Sequence, residues 1–308
     1  MRHFLIDTDT ASDDAVALVM ALRYPGVQVK AITVVAGNVP VDQAVQNALY
    51  TVELCGSRVP VYKGATGPLM GRLETAQNVH GSDGMGDIGL PLAGRVPAPG
   101  QAVSALIDTV NRFAGTIELV TLGPLTNLAL ALRQEPGLVE KVKSCTIMGG
   151  TGQGYGNVTA VAEYNFWADP EAAAIVFESG LPITMVGWDI SRQFAVIEPA
   201  DAEALRALGT PLAVFCIDIQ RMVSAFCATE THLAGFDLPD PIAMAVALDP
   251  TVATEVRHLQ VAVETQGRYC RGQSVVDHLG ITGAAANARV VLAADRERFL
   301  ALLRRSVM

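Results

Sequence analysis

The sequence predicts an α/β protein: one open, mostly parallel sheet with helices on both faces, in a single domain spanning 1–308. Three observations carry this reading. Short, unbroken apolar runs alternate along the chain with stretches of helical periodicity, the order expected of right-handed crossovers. Of the 308 residues, 50% are hydrophobic and only 17% charged, which suits strands buried on both faces. The acidic and amide side chains collect where apolar runs end, and open α/β sheets bind ligands beyond the carboxyl ends of their strands.

The first strand, Phe4-Leu5-Ile6, runs into Asp7, Asp9, Asp13 and Asp14, and a helix pattern from Ala15 to Leu22 follows. Carboxylates so close repel one another unless a cation sits among them. Hard oxygen ligands call for Ca²⁺ or Mg²⁺. A local alternative has Ser12 capping the helix, with Asp13 and Asp14 favoured by its dipole; it leaves Asp7 and Asp9 unexplained. Lys30 to Ala36 reads as the second strand, 41–54 as a helix, and Val59 to Tyr62 as a short strand. Residues 64–100 are rich in Gly and Pro and lack periodicity, which predicts an active-site loop or lid within the domain. The alternation then resumes: helix 101–113, strand 117–122, helix 125–133, strand 144–148, a helix from Pro170 to Gly180, and a strand over 182–188. Helices follow over 199–207, 211–229 and 241–248, then strands over 256–264, 274–277 and 288–292, and a last helix over 296–304. Pro124, Pro170 and Pro241 fall at expected first helical positions, with Gly123, Asp169 and Asp240 before them as caps.

Composition excludes several classes. A net charge of −9 with four lysines argues against nucleic acid, which demands a basic face, and against a phosphorylated substrate at the acidic loop. No uninterrupted apolar run reaches about 18 residues, so no membrane span is expected. Asp7 interrupts any leader-like apolar region. Five scattered cysteines without a C-x-x-C pair suit reduced thiols in a cytoplasmic protein. The strand ends supply Asp7, Asp9, Asp13, Asp14, Asn38, the Leu122-Gly123-Pro124 turn, Asn157, Glu163, Asn165 and Asp240, none of them basic. That set suits a cation beside a hydroxyl-rich neutral substrate. No Gly-rich dinucleotide or phosphate loop is present.

These residues resemble the calcium-dependent nucleoside hydrolases of the inosine-uridine type over nearly the whole chain. The resemblance runs through D-x-D-x-x-x-D-D at 7–14, Val35-Ala-Gly-Asn38, Asn78-Val-His-Gly81, Leu122-Gly-Pro-Leu-Thr-Asn127 and Met148-Gly-Gly150. It continues in Glu163-Tyr-Asn-Phe-Trp-Ala-Asp-Pro-Glu-Ala-Ala173, Asp240-Pro241 and Arg271-Gly-Gln-Ser-Val-Val-Asp277. It implies Ca²⁺ held by Asp9, Asp14, Asp240 and the carbonyl of Leu122, with Asp9 also taking a proton from water at the metal. It implies Asp13, Asn38, Asn157, Glu163 and Asn165 on the ribose hydroxyls, Tyr164 against the sugar, His80 near the base, and Asp7 supporting the loop. The implied activity is hydrolysis of the N-glycosidic bond of a small-molecule ribonucleoside, by a homodimer or homotetramer. Thr126, Asn127, Trp167 and Trp188 are expected to be structural, and Asp169 a helix cap.

One departure stands out. Family members acting on inosine and uridine often carry a histidine just before the last metal aspartate, and here Pro239 occupies that place. A purine can be protonated on its imidazole nitrogen without that acid, so the expectation leans slightly to purine over pyrimidine substrates. His232 lies in the same loop as an exposed candidate. Three rival readings remain. A haloacid-dehalogenase-like Mg²⁺ phosphatase shares D-x-D, but Thr10 stands where Gly is expected. An EF-hand loop starting at Asp7 needs Gly and Glu where Ser12 and Leu18 stand. A non-catalytic nucleoside- or ribose-binding protein is the third.

Overall fold

Strand β1 (Arg2–Thr8) runs up the middle of the structure, a computed structural model that describes all 308 residues. It is followed by α1 (Ser12–Arg23), β2 (Val27–Val34), α2 (Val41–Leu54), β3 (Val61–Lys63), the single turn α3 (Gln77–His80) and α4 (Ala102–Arg112). Next come β4 (Ile117–Thr121), α5 (Thr126–Gln134), β5 (Val142–Met148), α6 (Tyr164–Ala168), α7 (Pro170–Phe177), β6 (Ile183–Val186), α8 (Trp188–Phe194) and β7 (Val196–Ile197). The chain closes with α9 (Pro199–Arg206), α10 (Pro211–Asp218), α11 (Arg221–Phe226), β8 (Phe236–Asp237), α12 (Pro239–Leu248), β9 (Ala253–Val263), β10 (Ser274–Asp277), β11 (Ala288–Ala294) and α13 (Arg296–Ser306).

Nine strands form one sheet in the order β10-β9-β11-β6-β5-β4-β1-β2-β3. From β3 to β11 all neighbours are parallel; the β11–β9 and β9–β10 pairs are antiparallel. The single-domain α/β expectation is met. After β1 the chain builds outward to β2 and β3, then returns to β4 on the other side. The β1/β4 junction is thus a topological switch point, where α/β sheets bind ligands.

Alternating side chains serve two cores. Phe4 and Ile6 of β1 pack with α1, α2 and α12 on one face, while Leu5 packs with Leu119, Cys145 and α5 on the other. Helix α1 is buried all round, from Ser12 to Ala21, because α2, α12 and the sheet enclose it. That is why its sequence, Ala15-Val-Ala-Leu-Val-Met-Ala, lacks a polar stripe. The enclosure also seats its acidic N-terminus beneath the start of α12.

Several local expectations are corrected. The strand expected over 182–188 ends at Val186, and Trp188 opens α8. The helix expected over 211–229 breaks at Ile219-Gln220 and ends in a π-helical turn, 227–231. This 21-residue stretch (211–231) is the longest apolar helical segment, with mean hydropathy 1.5. Asp218, Gln220 and Arg221 interrupt it, and Phe215, Cys216 and Val223 lie in the core. Pro170 opens α7 as expected, with Asp169 capping Ala172 N–H at 3.1 Å. Helix α5 begins at Thr126, so Pro124 is not its first residue. Helix α12 begins at Pro239 rather than Pro241, which puts Asp240 inside its first turn and not at its cap.

Candidate active site

At the carboxyl end of β1 the Asp9 side chain is fully buried. Its Oδ2 accepts the Asn38 backbone N–H at 2.6 Å. A Cβ on Gly37 would stand 2.1 Å from Asp9 Oδ2, and one on Gly123 would stand 2.6 Å from Oδ1. Glycine at both neighbouring strand ends therefore makes the space this carboxylate occupies. Asp7 is held separately: Thr33 Oγ1 and Asn127 Nδ2 both donate to its Oδ1.

Asp14 accepts the Ala11 N–H at 2.9 Å and the Thr8 hydroxyl. The start of α1 is thus held by Asp14, and Ser12 does not cap it. Ser12 Oγ instead meets His80 Nδ1 at 3.0 Å, and Gln220 Nε2 donates to Ser12 O at 2.9 Å. Carboxylate oxygens of Asp13, Asp14 and Asp240 lie within 4.8 Å of one another, all buried. Asp13, expected on the ribose, therefore joins this cluster as well. Burial and the neighbouring Asp14 hold the Asp9 carboxyl well above its usual range. Burial, then Asp13, raises Asp14 to about 7. Burial, then Asp14, Asp13 and Asp9, raises Asp240 strongly.

Two buried oxygens in this group, Asp9 Oδ1 and Asp13 Oδ1, have no hydrogen-bond partner. Native structures seldom leave such atoms unmatched. No lysine or arginine lines the adjoining cavity. The one imidazole nearby, His80, stands 3.8 Å from Asp13 Oδ1, and burial disfavours its charge; an oxygen-only donor set with orphaned carboxylate atoms and no lysine or arginine fits a hard divalent cation. The Leu122 carbonyl accepts Asn165 Nδ2 at 2.8 Å and keeps a second lone pair.

The cavity beside the cluster holds about 360 Å³, within the range of small-molecule sites. Asp13, Asn38, His80, Leu122, Asn157, Glu163, Tyr164, Asn165 and Asp240 all line it. Glu163 is buried, unlike a solvated loop charge, and accepts N–H groups from Gly150 (2.7 Å) and Asn165 (2.9 Å). Burial raises its carboxyl to about 7. The Tyr164 hydroxyl donates to Glu74 O at 2.8 Å, tying the 64–100 segment to α6. Asn157 sits on an exposed rim. Burial lowers the His80 imidazole pKa, against the pull of Asp13.

The rest of the lining is largely apolar and includes Val79, Trp167, Trp188, Val223 and Phe226. Trp167 and Trp188, expected as core, are pocket walls as well. Thr126 and Asn127 are structural as expected: Thr126 donates to Asp169, and Asn127 joins Asp7 to Ala65 N. His232 is exposed and absent from the lining. Two carboxylates went unnoticed in the sequence. Asp189 receives the N–H groups of Gly152 and Gln153, both at 2.9 Å, and so holds the loop that carries Asn157. Asp237 lines the cavity itself; its only signal was its place three residues before Asp240.

A carboxylate cluster at a switch point, amides around a small cavity and an apolar wall define a cation-assisted site. Its substrate class is a hydroxylated molecule with a flat apolar part. Residues 4–301 match the model of a family described as inosine-uridine preferring nucleoside hydrolase. The pyrimidine-specific ribonucleoside hydrolase RihA of Salmonella schwarzengrund (strain CVM19633) is 40% identical over 301 residues, 97% of this chain and 96% of that one. Among solved structures, the plant nucleoside hydrolase PpNRh1 superposes with a TM-score of 0.94 at 34% identity, covering 99% of both chains. A purine-preferring ribonucleoside hydrolase from Gardnerella vaginalis gives 0.92 at 33%, covering 99% of this chain and 98% of that one. The chain belongs to the inosine-uridine preferring nucleoside hydrolase family, and it is a hydrolase acting on the N-glycosyl bonds of ribonucleosides.

Proposed function

We propose that the protein is a Ca²⁺-dependent ribonucleoside hydrolase that releases free base and ribose for nucleoside salvage. The observation that carries the metal is the pair of orphaned oxygens, Asp9 Oδ1 and Asp13 Oδ1, the second in a buried cluster with Asp14 and Asp240. Asp9, Asp14, Asp240 and the Leu122 carbonyl would hold the ion, with Asp13 beside them. Bound there, Ca²⁺ supplies a fixed charge that orients hydroxyl oxygens and makes a water more acidic. Asp9, fixed in place by the Asn38 N–H and the glycines beside it, takes the proton of the attacking water. Asp13, Asn38, Asn157, Glu163 and Asn165 hold the ribose hydroxyls, the amides both donating and accepting. Tyr164 packs against the sugar and His80 lies toward the base. The carboxylates stabilise the positive charge that develops on the sugar as the C1′–N bond breaks.

The base preference rests on fewer residues. Pro239 in place of a histidine supports a slight lean to purines, as does the purine-preferring relative; the pyrimidine-specific relative at 40% identity pulls the other way. A homodimer or homotetramer and a cytoplasmic location belong to the same proposal, on the family resemblance and the reduced cysteines. The segment 64–100 is proposed as a lid, closed over the site by the Tyr164–Glu74 hydrogen bond. Titration calorimetry of Ca²⁺ into metal-stripped protein tests the ligand set. One tight site, lost in Asp14→Ala, is expected; unchanged binding in that variant would refute it.

A further inference from the structure

Hydrolysis of a nucleoside leaves a base that must be protonated as it departs, and the position before Asp240 offers only Pro239. The pocket wall nearby offers a different acid. Asp237 is the second residue of the two-residue strand β8, whose pairing with β7 sets Asp237 opposite Val196. It is 7% exposed and lines the cavity together with Trp188, Phe226 and Thr231. No lysine or arginine forms an ion pair with it; Arg192 stacks over the Trp188 ring, and its buried Nη1 has no hydrogen-bond partner.

The hydrogen-bond inventory around it is informative. Ser191 Oγ lies 2.7 Å from Asp237 Oδ2 and 2.9 Å from the Trp188 carbonyl oxygen. A serine hydroxyl carries one proton, so it cannot donate to two acceptors at once. If Asp237 is ionised, one of these short contacts faces two lone pairs. If Asp237 carries a proton on Oδ2, it donates to Ser191 Oγ, Ser191 donates to Trp188 O, and both contacts are satisfied. The other oxygen, Oδ1, meets only the weak Cys227 thiol, at 4.0 Å. Burial pushes the carboxyl upward and Asp13 adds to this; Ser191 and the Arg192 charge oppose them, and the net direction is up.

We propose that Asp237, a neutral carboxylic acid in the pocket wall held by Ser191, is the proton donor to the departing base. This rests on the hydrolase reading above. As the C1′–N bond breaks, its electron pair goes to the base. The Asp237 proton leaves its Ser191 hydrogen bond for a basic nitrogen or carbonyl oxygen of that base, and the Ser191 hydroxyl turns to donate to the carboxylate left behind. The hydroxyl of water adds to C1′, and its proton passes to Asp9. Transfer of that proton to Asp237, directly or through solvent, restores the starting state.

Leaving groups that need no proton separate this role from a structural one. The test is kcat/KM for inosine, uridine and p-nitrophenyl riboside in the wild type, Asp237→Asn and Ser191→Ala. A missing general acid lowers rate ~10²–10⁴-fold. Asp237→Asn should show a loss of that order on inosine and uridine, and a loss at least about tenfold smaller on p-nitrophenyl riboside. Ser191→Ala should show the same split, smaller in size. Cleavage of the nitrophenyl substrate also shows that each variant is folded; if Asp237→Asn does not fold, Ser191→Ala carries the test. Equal losses on all three substrates, or no loss, would overturn the assignment while leaving the hydrolase reading intact. A wild type inactive on every riboside would overturn that reading instead.

Discussion

Asp9 has no room to move. Asn38 N–H holds one of its oxygens, and Gly37 and Gly123 close in from the two flanking strand ends. This explains why glycine follows both neighbouring strands: each gives up a side chain to admit a carboxylate. A methyl group at 123 would overlap Asp9 Oδ1 at 2.6 Å and displace it, and a misplacement of about 1 Å is worth ~10²-fold in rate. Gly123→Ala should therefore stay folded yet lose about that factor in kcat, as read by ribose release beside a thermal melt. Near-wild-type turnover would show that Asp9 is less tightly placed than its contacts imply. Asp9→Asn is expected to lose ~10²–10⁴ in kcat, with Ca²⁺ content measured alongside because Asp9 is also a proposed ligand. Full activity would exclude it as the base.

The 64–100 segment is the element most open to motion, yet it is anchored at several points. Ala65 N–H donates to Asn127, Leu69 N–H to Asp169, Asn47 reaches Asp83 O, and Arg221 donates to the carbonyls of Gly86 and Asp87. Lid motion is thus expected around the Tyr164-held stretch 74–80. Hydrogen exchange with and without a ribose-mimicking iminosugar should show protection there on binding; identical exchange in both states would count against a lid. Asp87 organises the turn after His80. N–H groups of Ser82 and Asp83 hold its carboxyl down to about 2, below an ordinary unfolded value of about 3.9. Its contribution is therefore fully present above about pH 4 and fades as pH falls toward 2. The stability difference between wild type and Asp87→Asn should shrink over that interval in urea titrations; a difference independent of pH would argue against the turn's charge.

At this scale the sequence was legible wherever a pattern is local. Apolar runs marked the parallel strands, and Asp169-Pro170 marked a helix start. Reading failed where tertiary packing decides. The apolar run Pro182 to Trp188 gives no sign that the strand yields to α8 after Val186. The break at Gln220 follows from its amide reaching back to Ser12, far along the chain. The carboxylates of the first loop were visible because they are adjacent in sequence. Asp189 and Asp237 were not, because what defines them is the backbone or hydroxyl group that the fold brings to them.

For the whole molecule, strand order is the organising fact. Because the chain reverses direction across the sheet between β1 and β4, the loop after β1 and the Leu122 carbonyl open onto one crevice. The packing of α12 along α1 then brings Asp240 to the same point. The proposed ion would thus join the two ends of the chain, and ligand binding to the folded state alone should stabilise it, by about 2.7 kcal/mol at a hundredfold excess over Kd. Ca²⁺ should raise the Tm of stripped wild-type protein and leave that of Asp240→Ala unmoved; an equal rise in both would mean that Asp240 is not a ligand.

The most direct measurement is ribose release by metal-stripped protein, with and without added Ca²⁺, as kcat/KM across inosine, adenosine, uridine and cytidine. The account predicts no turnover in the stripped state, recovery on adding Ca²⁺, and free base and ribose as products in equal amounts. Turnover that is unchanged by stripping, or nucleosides that bind with Ca²⁺ present and are never cleaved, would contradict it.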